Sequence, residues 1–126
     1  MTLDDVFSPF TKARHITDAD LYQTEAGFQQ AIIELAEATG WLWYHHPDSR
    51  KAPAGFPDLV LVHGERKRII LAELKTEKGR LREDQRTWLD TLTGAAKGAP
   101  DCVEVHLWRP SDWPTIERIL KGERNG

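Results

Sequence analysis

Two apolar runs, each with charge at one end, constrain this chain more than any other feature. Phe56-Pro57-Asp58-Leu59-Val60-Leu61-Val62 opens on an acid and continues apolar, while Arg68-Ile69-Ile70-Leu71-Ala72-Glu73-Leu74-Lys75 runs apolar and closes on two charges. Runs of this length, rich in aliphatic and β-branched residues, predict buried strands. The link between them, His63-Gly64-Glu65-Arg66-Lys67, is short, polar and contains glycine, and so predicts a hairpin. A hairpin returns the chain beside itself, which brings Asp58 and Glu73 to the same edge. Strand alternation then puts Glu73 and Lys75 on one face and Leu74 in the opposite layer.

Two carboxylates at one edge can share a cation. Hard oxygen donors suit Mg2+ or Mn2+ better than Zn2+, and no Cys/His spacing here resembles a zinc site. A metal held in this way lowers the pKa of water and neutralises charge developing on a phosphate, and Lys75 is placed to orient the water or to stabilise the phosphate. That is the minimum equipment for metal-dependent phosphodiester cleavage. The competing reading is ordinary: Asp58 caps a turn, and Glu73 and Lys75 form an exposed pair at a strand end, acid-x-Lys triplets being common.

The rest of the chain supplies helices around this hairpin. Thr24 is placed to cap a helix with apolar positions at Phe28, Ile32 and Leu35 that ends at Gly40, with Glu25 in its first turn. Residues 41 to 46 predict a strand, and 47 to 55, rich in Pro, Ser and basic residues, a loop that crosses toward the acids and touches substrate. His45 and His46 are adjacent in that strand, face opposite ways and do not easily ligate one metal. Glu83 to Thr93 predicts a helix with Trp88, Leu89 and Leu92 on one face. Gln85 borders that stripe, either as a solvated side chain or as one that orients a water or Lys75. Gly94 to Pro100 breaks this helix, Asp101 to Trp108 predicts a fourth strand, and Ser111 caps a last helix through Ile116, Ile119 and Leu120 to Gly122. The expected fold is α/β: a mixed four-stranded sheet flanked by helices, in the order αβββαβ plus a C-terminal helix. Residues 1–22 read as an N-terminal arm, in which Phe7, Phe10 and Ile16 pack on the domain or on a partner subunit, and 23–126 as the domain.

Pro57-Asp58 followed by Glu73-x-Lys75 resembles the PD-(D/E)xK nuclease superfamily, whose core is restriction-endonuclease-like. More narrowly, Gly55-Phe56-Pro57-Asp58-Leu59-Val60, Glu73-Leu74-Lys75, Gln85 in the next helix and Val103-Glu104-Val105-His106-Leu107-Trp108-Arg109-Pro110 resemble the VRR-NUC branch, over roughly residues 24 to 121. The resemblance implies Asp58 and Glu73 as metal ligands together with the backbone carbonyl of Leu74, and Lys75 as the catalytic lysine. It further implies Glu25, the first-helix acid, as another metal ligand, and Gln85 as the glutamine near the site, both within the catalytic set. An endonuclease that uses Mg2+ or Mn2+ on branched DNA or Holliday junctions, acting as a homodimer, is what such stand-alone domains imply. They are typical of bacteriophage genomes.

With 126 residues the chain builds one core. The single cysteine, Cys102, reads as a buried thiol in a reducing compartment, and the acidic N-terminus and the lack of any membrane-length apolar run lead to a cytoplasmic expectation with no membrane partner. A net charge of -3 argues against a protein that coats DNA indiscriminately. Basic residues nevertheless concentrate in the middle, at Arg50-Lys51, Arg66-Lys67-Arg68 and from Lys75 to Arg86. Arg50 and Arg80, with Lys51 and Lys78 beside them, are the expected phosphate contacts. Trp41, Trp43, Trp88 and Trp108 fall in predicted strands or on an apolar helix face and are expected in the core. Two other readings stay open: a catalytically silent DNA-binding or inhibitory module, and an RNA- or nucleotide-directed hydrolase.

Overall fold

The structure, a computed structural model, describes residues 24–46 and 54–124. The expected N-terminal arm and most of the expected substrate loop, with Arg50 and Lys51, lie outside them. Helix α1 (Glu25–Ala38) leads into strand β1 (Leu42–Tyr44), the hairpin β2 (Leu59–His63) and β3 (Arg68–Leu74), helix α2 (Glu83–Ala96), strand β4 (Val103–Trp108), a 3-10 turn (Pro110–Asp112) and helix α3 (Trp113–Leu120). The four strands form one sheet in the order β1-β2-β3-β4. β1, β2 and β3 pair antiparallel, and β3 and β4 pair parallel. The mixed sheet and the element order are as the sequence predicts.

Local chemistry explains the boundaries. The Thr24 hydroxyl accepts from Gly27 N at 2.9 Å and caps α1, and Gly40 at φ 92 takes the left-handed turn that closes it. In the hairpin turn the positive φ falls on Lys67 (φ 56), while Gly64 supplies the carbonyl that Lys67 N donates to at 3.2 Å. α2 runs through Gly94 to Ala96 instead of stopping at Thr93. A glycine in an exposed last turn costs about 1 kcal/mol, too little to end a helix that packing holds. β4 starts at Val103 and not at Asp101, so Cys102 precedes the strand and is half-buried. α3 begins after Asp112 and not Ser111, because Asp112 Oδ2 accepts from Arg109 N at 2.9 Å and closes the 3-10 turn first.

One face of the sheet makes the core. Leu59, Leu61, Ile70, Leu74 and Trp108 pack there against Phe28 and Ile32 of α1 and Ile116, Ile119 and Leu120 of α3, all fully or nearly fully buried. Burying each aliphatic side chain of this size contributes about 2 kcal/mol. α2 packs beside β4, and since strand positions alternate, Glu73 and Asp58 belong to the other face of the sheet.

Two sequence expectations about this core need correction. Arg68 is no part of a basic surface band: it is 1% exposed, binds Glu104 through Nε at 2.6 Å and Nη2 at 2.8 Å, and gives Nη1 to the Glu123 carbonyl at 3.0 Å. Its guanidinium also lies 5.6 Å from the ring centre of Trp41. Arg66 likewise donates inward, to the Leu120 carbonyl at 2.7 Å. Of the four tryptophans expected in the core, Trp41 and Trp108 are buried, Trp88 is half-buried, and Trp43 on the edge strand is exposed. Among the described residues no helix is long and apolar enough to cross a membrane.

Candidate active site

The two acids meet where the hairpin predicts. Asp58 precedes β2, and its Oδ2 accepts from Leu74 N at 2.8 Å, tying the start of one strand to the end of the next. Glu73 is 1% exposed, with Lys75 Nζ 3.9 Å from its Oε2. Lys75 is itself buried, and its backbone N donates to the Trp108 carbonyl at 3.0 Å, which extends the β3–β4 ladder past the acids.

Gln85 is buried, not solvated. Its Nε2 donates to Glu73 Oε2 at 2.8 Å, while its Oε1 accepts from Arg82 N at 2.9 Å. That second bond is half of a capping box at the start of α2, and it decides the orientation of the amide: with Oε1 held by a backbone donor, the NH2 must face the carboxylate. One side chain thus caps a helix and fixes an acid.

The approach to Asp58 is seated on the same helix. Trp88 Nε1 donates to the Ala54 carbonyl at 3.0 Å, and Phe56 meets the Trp88 ring edge-on at 5.1 Å. Gly55 lies at φ 86 with the α2 backbone against it, so that a Cβ placed there meets the Asp84 carbonyl carbon at 2.5 Å. Gly55→Ala is therefore expected to destabilise the fold by about 2 kcal/mol, from a strained φ and a backbone clash. Urea unfolding checks this, and an unchanged midpoint would mean that the loop moves freely off the helix.

Electrostatics single out Glu73. Burial first, then the charge of Asp58, pushes its carboxyl from 4.5 up to about 8, against the partial relief given by Lys75; a hydrogen bond to Asp58 and the charge of Glu25 add to the rise. Asp58 is also raised, by burial, with the Leu74 N–H, a hydrogen bond to Glu73 and the charges of Lys75 and Arg82 opposing it. Glu73 Oε1 is buried and, apart from a proton that Glu73 and Asp58 can share, has no hydrogen-bond partner among protein groups. With both acids ionised nothing donates to it; a proton kept on Glu73 and shared toward Asp58, or a cation between the two, fills that place. The hard-oxygen pair fits a divalent ion such as Mg2+ or Mn2+. Among the described residues no three His, Cys, Asp or Glu side chains gather as a metal cluster, and an ion at this pair would be held by the two carboxylates with water filling the rest of its shell.

The remaining expected residues lie around this pair. Glu25 is exposed in the first turn of α1, and its charge reaches Glu73. Leu74 is buried, with its side chain in the core layer and its N–H on Asp58. Lys78 and Arg80 are exposed on the loop after Lys75. Sequence reasoning missed Arg109, whose Nη1 donates to the Thr76, Glu77 and Gly79 carbonyls at 2.6, 3.2 and 2.7 Å and gathers that loop. It also missed Arg82, exposed at the start of α2 with its charge felt at Asp58. No spacing rule reveals either one; Arg109 stands out only as the basic residue that ends the closing strand.

Neither the curated proteins nor the solved structures contain a match to this chain. The VRR-NUC domain, a nuclease domain that processes DNA, matches residues 14–105, which takes in Glu25, Asp58, Glu73, Lys75 and Gln85. With most of its length matched, and with the acids, the lysine and the glutamine converging as described, the chain belongs to the VRR-NUC family.

Proposed function

We propose that the protein is an endonuclease dependent on Mg2+ or Mn2+ that hydrolyses phosphodiester bonds in branched or otherwise structured DNA. The observation that carries this reading is the buried Glu73 oxygen without a partner, set beside a second acid and a lysine. Asp58, Glu73 and the Leu74 carbonyl would hold the ion, with Glu25 as a further acid toward it. When bound, a divalent cation supplies charge neutralisation at the phosphate and a more acidic water. Lys75, buried and within reach of the same carboxylate, orients the attacking water and stabilises charge on the phosphate oxygens. Gln85 keeps Glu73 in place for both tasks. Lys78 and Arg80, with Arg50 and Lys51, contact flanking phosphates. The described residues of one chain form one such site, so symmetric cutting of two strands calls for a homodimer.

The test uses a labelled four-way junction, a matched linear duplex and a single strand, each with Mg2+, Mn2+ or EDTA. Metal-dependent cutting that favours the junction is expected, with Asp58→Ala inactive. Lys75→Ala is expected to keep metal affinity while cleavage slows by about a hundredfold or more. Equal loss of both would make Lys75 a structural residue, and retention of DNA with no cutting under any metal would identify a binding module.

A further inference from the structure

Three of the five large apolar side chains that stand exposed among the described residues lie in the three-residue edge strand β1: Leu42 at 76%, Trp43 at 38% and Tyr44 at 55%. Consecutive exposure of this kind is not a packing pattern, since a strand that serves a core hides every second residue. Tyr44 pairs with Val60 and belongs to the face of the sheet that carries the acids. Trp43 is on the opposite face, where its indole lies nearly parallel to the His45 ring, with centroids 5.5 Å apart and planes 9° from each other.

The register sets the distance from these rings to the candidate active site. Continuing the β1–β2 pairing, His46 comes level with Asp58. At roughly 3.3 Å per residue, Tyr44 stands about 7 Å and Trp43 about 10 Å from that level along the strand. A nucleic acid strand leaving the acids along this edge covers that distance in a few nucleotides.

We propose that β1 is a stacking platform for unpaired bases beside the cleaved bond, with Trp43 and its His45 partner on one side of the edge and Tyr44 on the other. The proposal rests on the nuclease reading and deepens it. An aromatic ring with a polar rim takes any base by its π-face and needs no base-specific hydrogen bond. A duplex keeps its bases stacked on one another, so only the unpaired nucleotides of a branch, flap or frayed end can use the edge. Preference for structured DNA then arises from access to bases and not from reading their sequence.

The measurement separates base contacts from phosphate contacts. In EDTA, fluorescence anisotropy compares a labelled oligothymidylate with an abasic chain of the same length, for the intact protein and for Trp43→Leu, Trp43→Phe and Tyr44→Leu. The protein is expected to prefer oligothymidylate by about tenfold or more, Trp43→Leu to lose most of that preference and Trp43→Phe to keep it. Equal affinity for the two chains, no affinity for either, or an undiminished preference in Trp43→Leu would each overturn the proposal. It also falls if the leucine variants keep the preference but turn a dimer into a monomer in sedimentation, since the edge then joins two copies of the chain. Cutting assays on the same samples keep the two readings apart: base preference without cleavage removes the nuclease reading alone, and cleavage without base preference removes the platform alone.

Discussion

Glu73→Gln is expected to lower metal-dependent cleavage about a thousandfold while making the metal-free protein more stable. The loss follows from removing one of two acids. The gain follows from the carboxyl being held at about 8, above its ordinary 4.5, chiefly by burial and by Asp58. A folded-state value raised in this way means that the associated stability is fully present below about pH 4.5 and is lost as pH rises through 8. In EDTA the unmodified protein should therefore unfold more easily at pH 9 than at pH 5, by an amount on the order of 2 kcal/mol, whereas the glutamine variant, which keeps the amide contact to Gln85 and carries no charge, should show a much flatter profile. Adding Mg2+ or Mn2+ at pH 9 should restore the original protein and leave the variant unmoved. Parallel pH profiles for the two proteins would show that Glu73 is not the strained group.

Arg68→Ala should cost 3–5 kcal/mol, a typical range of about that size for breaking a buried ion pair. It strands Glu104 in the core layer and frees the chain end that Arg68 holds through the Glu123 carbonyl. Burial pushes Glu104 up, but hydrogen bonds from His106 and Arg68, with the charges of both, outweigh burial and hold it at about 2. The sign is opposite to that of Glu73: this stability is present above about pH 4.5 and is lost as pH falls toward 2. Urea unfolding at pH 7 and pH 3 should show an acid-labile protein, and Arg68→Ala should be weak at both. Combining Arg68→Met with Glu104→Leu should recover much of the loss, since a well-packed apolar pair can replace a buried ion pair. If the single and double variants are equally unstable, packing around Trp41 matters more than charge.

The convergence of the candidate site residues was legible because it depends on local rules. Two strand-length apolar runs, a short glycine-containing link and period-two alternation are enough to put Asp58, Glu73 and Lys75 together, and all three are where those rules place them. Gln85 was recognisable only by resemblance, because whether a first-turn glutamine is buried depends on how α2 leans on the sheet. Arg68 looked like one more cation in a basic stretch; its partner Glu104 lies 36 residues away, on a strand that neighbours it only in the fold. Trp43 was misplaced for a related reason. Alternation says that its side chain alternates with Leu42 and Tyr44 but not that β1 is the sheet's edge, where both faces meet solvent. Cys102 and Gly94 show smaller errors of the same kind, at element ends that packing moves by two or three residues.

The parallel pairing of β4 with β3 has a consequence for the newly made chain. Asp58, Glu73 and Lys75 are all synthesised before β4, yet the hydrogen bond that extends the ladder past Lys75 comes from Trp108, and the loop beyond it is gathered by Arg109. A nascent chain that has emerged only through α2 carries Asp58, Glu73, Lys75 and Gln85 but lacks the strand that extends the ladder past Lys75 and the guanidinium that gathers the loop beyond it. Under the nuclease reading proposed above, cleavage that needs Lys75 seated waits for β4 and Arg109, when the domain can close as a unit. Under that same proposal, this order of assembly would keep copies that lack β4 inert while they are still beside the message that encodes them.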